Sequence, residues 1–438
     1  MRGPDGAPTS DGPADVVAWA AERAAAGGFS VTRVPFAEMD SWGFRPDTGD
    51  LVHDSGRFFS ITGLRSVVDG DPGTLRHQPV IHQPEVGVLG LLAKEFDGVL
   101  HFLVQAKMEP GNPGIVQLSP TVQATRSNYT RAHRGRPVRH IEHFVGSGRG
   151  RVLTDVLQSE HGWWFHHKSN RNMIVETDRE VEPHEDFRWV TLGTLGALMH
   201  VDETVNMDTR TVLACAPVSF GADASAHSDT GLLSWFTEQR ASRTLSAERV
   251  PLGSLPGWVR TPDRLHHEQD RDFDVVAVAV RARAREVASW SQPLLAPHGP
   301  GVAAFLTRRV AGVPHLLVHA RVEPGFLDTV ELGPTVQCTH DEATAPPGLR
   351  PPFLDTVLSA SPELVRYRAV HSEEGGRFLH ARTRCLVVED PRPAGASEPP
   401  GYLWATPDQL VALARHGHYL DVQARTLLAA LTTGALRP

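Results

Sequence analysis

Short apolar runs bounded by glycine and polar clusters dominate the hydrophobic pattern of this chain. Residues 87–92 and 100–107 are runs of this kind, and residues 272–280 alternate between apolar and other side chains. Because alternation and short apolar runs are typical of half-buried or buried strands, we predict strands at all three places.

Other segments carry apolar residues at helical spacing. Residues 15–26 do so after a polar lead, and residues 153–159 and 191–200 show the same spacing, so each predicts a helix. Residues 163–176 predict a hairpin. Strands and helices follow one another without the regular alternation of a doubly wound sheet, and the pattern predicts an α+β fold.

The pattern occurs twice along the chain. The matching segments are 16–42 with 232–258, 98–111 with 312–325, 116–125 with 330–339 and 162–176 with 375–389. The shared order and spacing indicate an internal duplication, and the period is far longer than the roughly 20–50 residues of a solenoid repeat. We therefore predict a disordered tail (1–13), a first copy (14–216), a linker (217–229) and a second copy (230–438).

Composition excludes several classes of protein. The 438 residues carry a formal net charge of −8 without a long basic run, which is unsuited to non-specific binding of nucleic acid or anionic lipid. The three cysteines form no CxxC pair, so neither a disulfide framework nor a cysteine zinc site is indicated. With neither a signal peptide nor a run of about 20 apolar residues, we expect a cytoplasmic protein.

The motifs of several enzyme classes are missing from the sequence. There is no G-x-G-x-x-G after a strand, no P-loop, no H-E-x-x-H and no G-x-S-x-G. Nicotinamide chemistry, nucleotide hydrolysis, zinc catalysis and serine-hydrolase chemistry therefore lose their main support. We expect neither a cofactor nor a metal ion.

The first copy contains a dense polar stretch. Gln105, Lys107 and Glu109 alternate along a predicted strand and so share one face. Amides and hydroxyls suit the hydroxyl groups of a sugar, and arginine suits phosphate oxygens. The alternative is that these side chains cap turns in surface loops. The candidate binding residues are Gln105, Gln117, Ser119, Thr121, Gln123, Arg126, Ser127, Asn128, Lys168, Asn170, Asn172 and Asn206, with Trp164 either stacking on a nucleobase or packing in the core.

Five segments of the chain resemble the NDP-hexose 2,3-dehydratases of antibiotic deoxysugar pathways. The resemblance extends over essentially the whole chain. The five segments read HFLVQAKMEPGN, VQLSPTVQATRSNYTR, LQSEHGWWF, SNRNM and VNMDTRTVL. One departure is Ser169, where the family often has arginine. The resemblance implies a dTDP-linked 4-keto-6-deoxyhexose as substrate and two Nudix-like modules. It also implies a homodimer and a downstream 3-ketoreductase that takes the unstable product. The acidic Nudix box is missing, so no pyrophosphatase activity is implied.

The implied reaction needs only proton transfers. Loss of the C3 proton, next to the C4 ketone, gives an enolate, and loss of the C2 hydroxyl then leads to a 3,4-diketo sugar. This requires a positioned base and donors to the developing oxyanion. The candidate bases are Glu109, Glu160 and Tyr129, followed by His101 or His166, and the candidate oxyanion donors are Lys107 and Arg171.

Comparison of the two copies separates the candidate residues that the second copy retains from those that it has lost. The second copy keeps the E-P-G turn as residues 323–325 but loses the counterparts of Lys168, Asn170 and Asn172. We therefore expect the chemistry in the first copy and regard the second as degenerate. The rival hypotheses are a non-catalytic nucleotide-sugar binding protein or partner of a glycosyltransferase, and a Nudix hydrolase.

Overall fold

The computed structural model describes residues 12–129, 137–146, 150–221, 224–282, 288–393 and 395–437. The predicted tail (1–13) lies outside this range except for its last two residues. Arg131, at the end of one of the polar segments, also lies outside it. In the described part of the chain, no helix is both long enough and apolar enough to cross a membrane.

The elements of the first copy are mainly strands. They are α1 (Pro13–Ala26), β1 (Ser30–Val34), β2 (Trp42–Phe44), β3 (Leu51–His53), β4 (Ser60–Val68), β5 (Arg76–His82), β6 (Gly87–Phe96), β7 (Val99–Met108), β8 (Val116–Ser119), β9 (Val122–Ala124), α2 (Arg126–Tyr129), β10 (Arg151–Ser159), β11 (Ser169–Glu176), β12 (Phe187–Thr191), α3 (Leu192–Leu198) and α4 (Met207–Ala214).

The second copy repeats this order. Its elements are α5 (Asp229–Ser242), β13 (Leu245–Val250), β14 (Trp258–Arg260), β15 (Arg264–His267), β16 (Phe273–Arg281), β17 (Ser289–Pro297), β18 (Gly301–Val310), β19 (Val313–Val322), β20 (Val330–Gly333), β21 (Val336–Cys338), α6 (His340–Thr344), α7 (Leu354–Leu358), β22 (Val365–Ser372), β23 (Arg382–Glu389), β24 (Tyr402–Ala405), α8 (Pro407–Ala414) and α9 (Val422–Thr432).

Most of the predicted elements are confirmed, and two are wrong. The helix predicted at 153–159 is part of strand β10, in which Thr154, Val156 and Gln158 are buried while the residues between them are exposed. Pairing with β11 satisfies its backbone and outweighs the helical spacing of its apolar residues. The hairpin predicted at 163–176 is a turn followed by the single strand β11, and the hairpin is formed by β10 and β11 instead.

Each copy contains a seven-stranded mixed sheet of the same topology. In the first copy the order is β10-β11-β6-β7-β12, with β8 beside β7 and β9 beside β6. The second copy has β22-β23-β18-β19-β24, with β20 and β21 in the corresponding places. The central pairs β11–β6 and β18–β23 are parallel, and the other pairs are antiparallel. The architecture is α+β with two tandem repeated domains, as the duplication predicted.

The two copies exchange strands. Strand β1 of the first copy completes the five-stranded sheet of the second by pairing with β16, and β13 of the second copy pairs with β4 of the first. Each of the two five-stranded sheets therefore contains one strand from the other copy and is complete only when both copies are folded. The described copies thus share their structure and are not two independent domains on a linker.

A reciprocal pair of buried arginines joins the copies at the packing of α4 against α9. Arg210 donates to Thr426 Oγ1 (3.4 Å) and to the carbonyl oxygen of Ser372 (2.7 Å). Arg425 in turn donates to Thr211 Oγ1 (2.7 Å) and to the carbonyl oxygen of Ser159. These reciprocal bonds show that both copies use the same buried arginine to contact each other.

Loops also cross between the copies at the two E-P-G turns, residues 109–111 and 323–325. A Cβ atom added at Gly111 would overlap the carbonyl oxygen of Phe378, and one added at Gly325 would overlap that of Phe165. Only glycine permits this approach, because any side chain would collide with the other copy. The retention of E-P-G in both copies therefore reflects packing between them.

Candidate active site

A cavity of about 1130 Å³ opens above the seven-stranded sheet of the first copy. Strands β6, β7 and β9 supply one wall, and the segment 137–143 lines another part. The second copy contributes residues of β17 and the loop 374–377, including Glu374 and Arg377. The cavity is thus built by both copies, and its volume lies above the roughly 300–1,000 Å³ usual for small-molecule sites.

A network of polar side chains starts from β7. Lys107 Nζ donates to the carbonyl oxygen of Gln123 (3.1 Å) and lies 3.5 Å from Glu109 Oε1. Gln123 Nε2 donates to Glu109 Oε1 (3.0 Å), and Asn206 Nδ2 donates to Gln123 Oε1 (3.0 Å). The alternation of β7 thus places Lys107 and Glu109 together, as predicted from the sequence.

A second layer lies around β11. Asn170 Nδ2 donates to Glu160 Oε1 (2.6 Å), while Asn170 Oδ1 accepts from the backbone of Gly87 (3.0 Å). Lys168 donates to the carbonyl oxygen of Glu85. Burial lowers the pKa of Lys168, although the carboxylate of Glu160 opposes this effect. The layer therefore brings cationic and anionic groups together with little access to solvent.

Two carboxyl groups that the sequence did not single out complete the cluster, Asp208 on α4 and Glu374 of the second copy. Burial raises the pKa of Asp208 well above its usual range, and Glu374, Glu160 and Glu109 raise it further. Burial also raises the pKa of Glu374 to about 7. The interaction of Asp208 with these neighbouring carboxyl groups favours its protonated form, so Asp208 is the candidate proton donor of the cluster.

The predicted site residues separate into three groups. Seven line the cavity: Gln105, Lys107, Glu109, Thr121, Gln123, Asn128 and Asn170. Eight lie outside its lining: Gln117, Ser119, Ser127, Glu160, Trp164, Lys168, Asn172 and Asn206. Among the latter, Glu160, Lys168 and Asn206 support the lining by the contacts given above. His101 and His166 also lie outside it.

The third group lies in a separate groove of about 530 Å³ on the other side of residues 84–88. Arg126, Tyr129 and Arg171 line this groove, and Arg171 donates to Asp155 Oδ1 (2.6 Å). Arg171 points away from its neighbours Asn170 and Asn172 because alternate side chains of a strand face opposite sides. One polar segment therefore serves two faces of the sheet.

Two predicted ligand-binding residues hold the fold together. Thr121 accepts from the backbone of Leu92 (2.8 Å), and Thr335 makes the same bond to Leu306 (2.9 Å) in the second copy. Trp164 packs with its ring centroid 4.5 Å from that of Phe378, in the contact between the copies. Of the two predictions for Trp164, the geometry favours packing over stacking on a nucleobase.

Comparison with known proteins shows the family to which the chain belongs. The family model for NDP-hexose 2,3-dehydratases matches residues 13–216 and again residues 229–431. The chain belongs to the NDP-hexose 2,3-dehydratase family. One match to each copy also agrees with the duplicated fold.

Three relatives of this dehydratase are similar over nearly its full length. Those from Amycolatopsis orientalis, Streptomyces violaceoruber and Saccharopolyspora spinosa are 55%, 50% and 47% identical, respectively. The alignments cover 97%, 95% and 94% of this chain and 91%, 96% and 90% of the relatives. All three are named dTDP-4-dehydro-6-deoxy-alpha-D-glucopyranose 2,3-dehydratase. The dehydratase is therefore a sugar-nucleotide hydro-lyase, a carbon–oxygen lyase.

The second copy of the dehydratase holds a corresponding cluster that is paired differently. Gln337 Nε2 donates to Glu323 Oε1 (2.8 Å), as Gln123 does to Glu109. In place of Asp208, however, it has Gln423, which donates to Glu373 Oε1 (2.8 Å). The first copy thus has an acid where the second has an amide, although burial also raises the pKa of Asp421 in the second copy's cluster to about 7.

One group of side chains in the described part of the dehydratase could hold a metal ion. Ligand atoms of His140, Glu142 and His143, all of which line the cavity, lie within 4.8 Å of one another. Burial lowers the pKa of His140 to about 4, so its imidazole is neutral near pH 7, as a metal ligand must be. The sequence expectation of a metal-free reaction therefore needs a direct test.

Proposed function

We propose that this dehydratase acts on dTDP-4-dehydro-6-deoxy-α-D-glucopyranose, the substrate named for its relatives, and removes water across C2 and C3. The observation that carries the proposal is the carboxyl cluster of the first copy, in which Lys107 lies 3.5 Å from Glu109 and burial raises the pKa of Asp208 well above its usual range. An elimination needs such a pair, one group to take a proton and another to give one.

The proposed reaction starts at C3. A carboxylate of the cluster, Glu109 or Glu374, takes the C3 proton, and the electron pair moves to the C4 oxygen. Lys107 stabilises that developing negative charge, since its ammonium group lies within the same cavity. When the C4 ketone reforms, the C2–O bond breaks and Asp208 protonates the departing hydroxyl as water. The enol product then tautomerises to a 3,4-diketo-2,6-dideoxy sugar.

The rest of the cavity suits the nucleotide. Phe29 and Trp290 line it with ring centroids 6.1 Å apart and provide aromatic surface for the thymine. Arg57 and Arg139 also line the cavity and are our candidates for the diphosphate. Gln105, Asn128 and Asn170 remain candidates for the sugar hydroxyl groups. Arg126 and Arg171, which the sequence favoured for phosphate, would need a substrate that extends into the second groove.

Further parts of the proposal are expectations drawn from the sequence. They are a Nudix-like fold for each module, a homodimer, a cytoplasmic location and a downstream 3-ketoreductase that takes the vicinal diketone. Two properties of the chain favour an enzyme over a non-catalytic nucleotide-sugar binding protein. Its relatives are named as dehydratases, and a binding protein has no need of a buried aspartate whose pKa is raised.

The test of the proposed function is turnover without metal or cofactor. We expect the purified chain, incubated with the 4-keto sugar nucleotide and excess EDTA, to form a product lighter by one water. An aromatic 1,2-diamine should trap this product as a quinoxaline, because its two ketones are adjacent.

Two other results would contradict parts of this account. Binding of the sugar nucleotide without any product would favour the non-catalytic alternative. Turnover that EDTA abolishes and one added metal restores would show that the reaction needs an ion, with His140, Glu142 and His143 as the first residues to replace.

A further inference from the structure

We propose that Glu374, a residue of the second copy, is the base that takes the C3 proton in the first copy's cavity. The inference rests on the proposed function and deepens it, because it names one group among several carboxylates. It also implies that neither copy could catalyse the reaction alone.

The crossing of the loops between the copies places Glu374. The loop lies against the E-P-G turn of the first copy, where Gly111 donates to the carbonyl oxygen of Gly375 (2.8 Å). Arg377 anchors its other side by donating to Gln83 Oε1 (3.0 and 3.1 Å) and lying 4.3 Å from the ring centroid of Phe59. The carboxylate of Glu374 is therefore held on a loop that is fixed at both ends.

Gly376 leaves the carboxylate open to the cavity. A Cβ atom at this position would lie 3.2 Å from Glu374 Oε1 and 3.5 Å from Glu109 Oε1. The first copy carries Trp163 at the aligned position, and a ring of that size at Gly376 would fill the space in front of both carboxylates. The small residue thus keeps the lining accessible to a ligand.

The other candidate bases are engaged in contacts that do not point to catalysis. Glu109 accepts from Gln123 and pairs with Lys107, and the second copy repeats both contacts at Glu323, with Gln337 and Arg321. An arrangement kept in the degenerate copy is structural. Glu160 accepts from Asn170 and lies outside the cavity lining, and Tyr129 lies in the separate groove.

Comparison across the two copies singles out Glu374. Its aligned residue in the first copy is His161, which lies 2.9 Å from Glu373 in the second copy's cluster. Burial alone would lower the pKa of His161, but Glu373 raises it, so the two form an ion pair. At the corresponding place in the first copy's cavity, Glu374 interacts with Glu160. A carboxylate thus occupies the place that the imidazole of His161 takes in the second copy's cluster. Burial, Glu160 and Glu109 together raise the pKa of Glu374 to about 7, although the cations of Arg377 and Lys168 oppose the rise.

The chemistry of the step is balanced by groups within the cavity. The C3–H bond breaks, Glu374 receives the proton, and the electron pair becomes the enolate at C4. When this electron pair returns from the enolate oxygen, the C2–O bond breaks. The C2 hydroxyl then leaves as water with the proton of Asp208. Glu374 then carries a proton and Asp208 has lost one, so proton transfer between them or through water restores the site. A base with a pKa of about 7 is well matched to operation near neutral pH.

The test is Glu374→Gln, which keeps the size of the side chain and removes the base. We expect kcat to fall by about 10²–10⁴-fold, while binding of dTDP, measured by calorimetry, stays at the wild-type level. In the wild type, kcat should decrease as the pH falls below 7, because protonation of Glu374 removes the base. Glu374→Asp should recover part of kcat, whereas Glu323→Gln, the matched change at the second copy's counterpart of Glu109, should keep the wild-type rate.

Each outcome decides between the proposals. A wild-type kcat in a folded Glu374→Gln variant would overturn this inference and leave the dehydratase function intact. A wild-type protein that forms no diketo product would instead remove the proposed function itself. If Glu374→Gln loses binding of dTDP as well as turnover, the residue shapes the cavity and is not the base.

Discussion

Asp208→Asn is expected to lower kcat by about 10²–10⁴-fold while the melting temperature and the binding of dTDP stay close to those of the wild type. The amide keeps the shape of the side chain, but it has no carboxylic proton to give to the departing C2 hydroxyl. Burial and three neighbouring carboxyl groups raise the pKa of Asp208 well above its usual range, which favours the protonated form. The measurement is steady-state kinetics with the 4-keto sugar nucleotide.

The second copy supplies the control for this variant. Asp421 caps α9 as Asn206 caps α4, and each accepts from a backbone N–H three residues later. Asp421→Asn therefore preserves the cap and should preserve kcat. If Asp208→Asn turns over normally, the leaving hydroxyl takes its proton from elsewhere and the assigned role of Asp208 is wrong.

Arg210→Met is expected to lower the free energy of unfolding by about 2–5 kcal/mol. Arg210 is fully buried, and its guanidinium donates to the carbonyl oxygens of Val205 (2.5 Å) and Ser372 (2.7 Å). Methionine fills much of the same volume but leaves both acceptors without a partner. The measurement is denaturant unfolding followed by fluorescence.

Arg425→Met should have a similar effect, because Arg425 makes the reciprocal contacts. Arg366→Met is the surface control, since its ion pair with Glu389 is exposed and such pairs contribute about 0–1 kcal/mol. If Arg210→Met unfolds at the wild-type denaturant concentration, the buried arginines do not hold the copies together.

Much of the fold could be predicted from the sequence. Apolar runs located the central strands, and the repeated segments revealed two copies of one unit. The helix predicted at 153–159 failed because Leu153, Val156 and Leu157 have helical spacing, whereas pairing with β11 decides the structure of this segment. Pairing with the next strand is an effect of context that the spacing of apolar residues within one segment does not contain.

The site could be predicted only in part. Gln105, Lys107 and Glu109 were found because alternation along one strand places them together, and Gln123 because it stands in the polar stretch that follows. Glu374 could not be found, because it reaches the cavity through a loop crossing that no local pattern encodes. Asp208 stood in a segment particular to the first copy, and that difference between the copies was the signal that could have identified it.

The central claim is that a carboxylate of this cavity removes the C3 hydrogen as a proton. Turnover in D₂O, analysed by NMR of the trapped product, tests it most directly. Because Glu374 lines a cavity that opens to solvent, the proton that it takes exchanges with water, and we predict one solvent deuterium at C2 of the diketo product. A product that has lost water yet carries the original C3 hydrogen at C2, with no solvent deuterium, would contradict the claim.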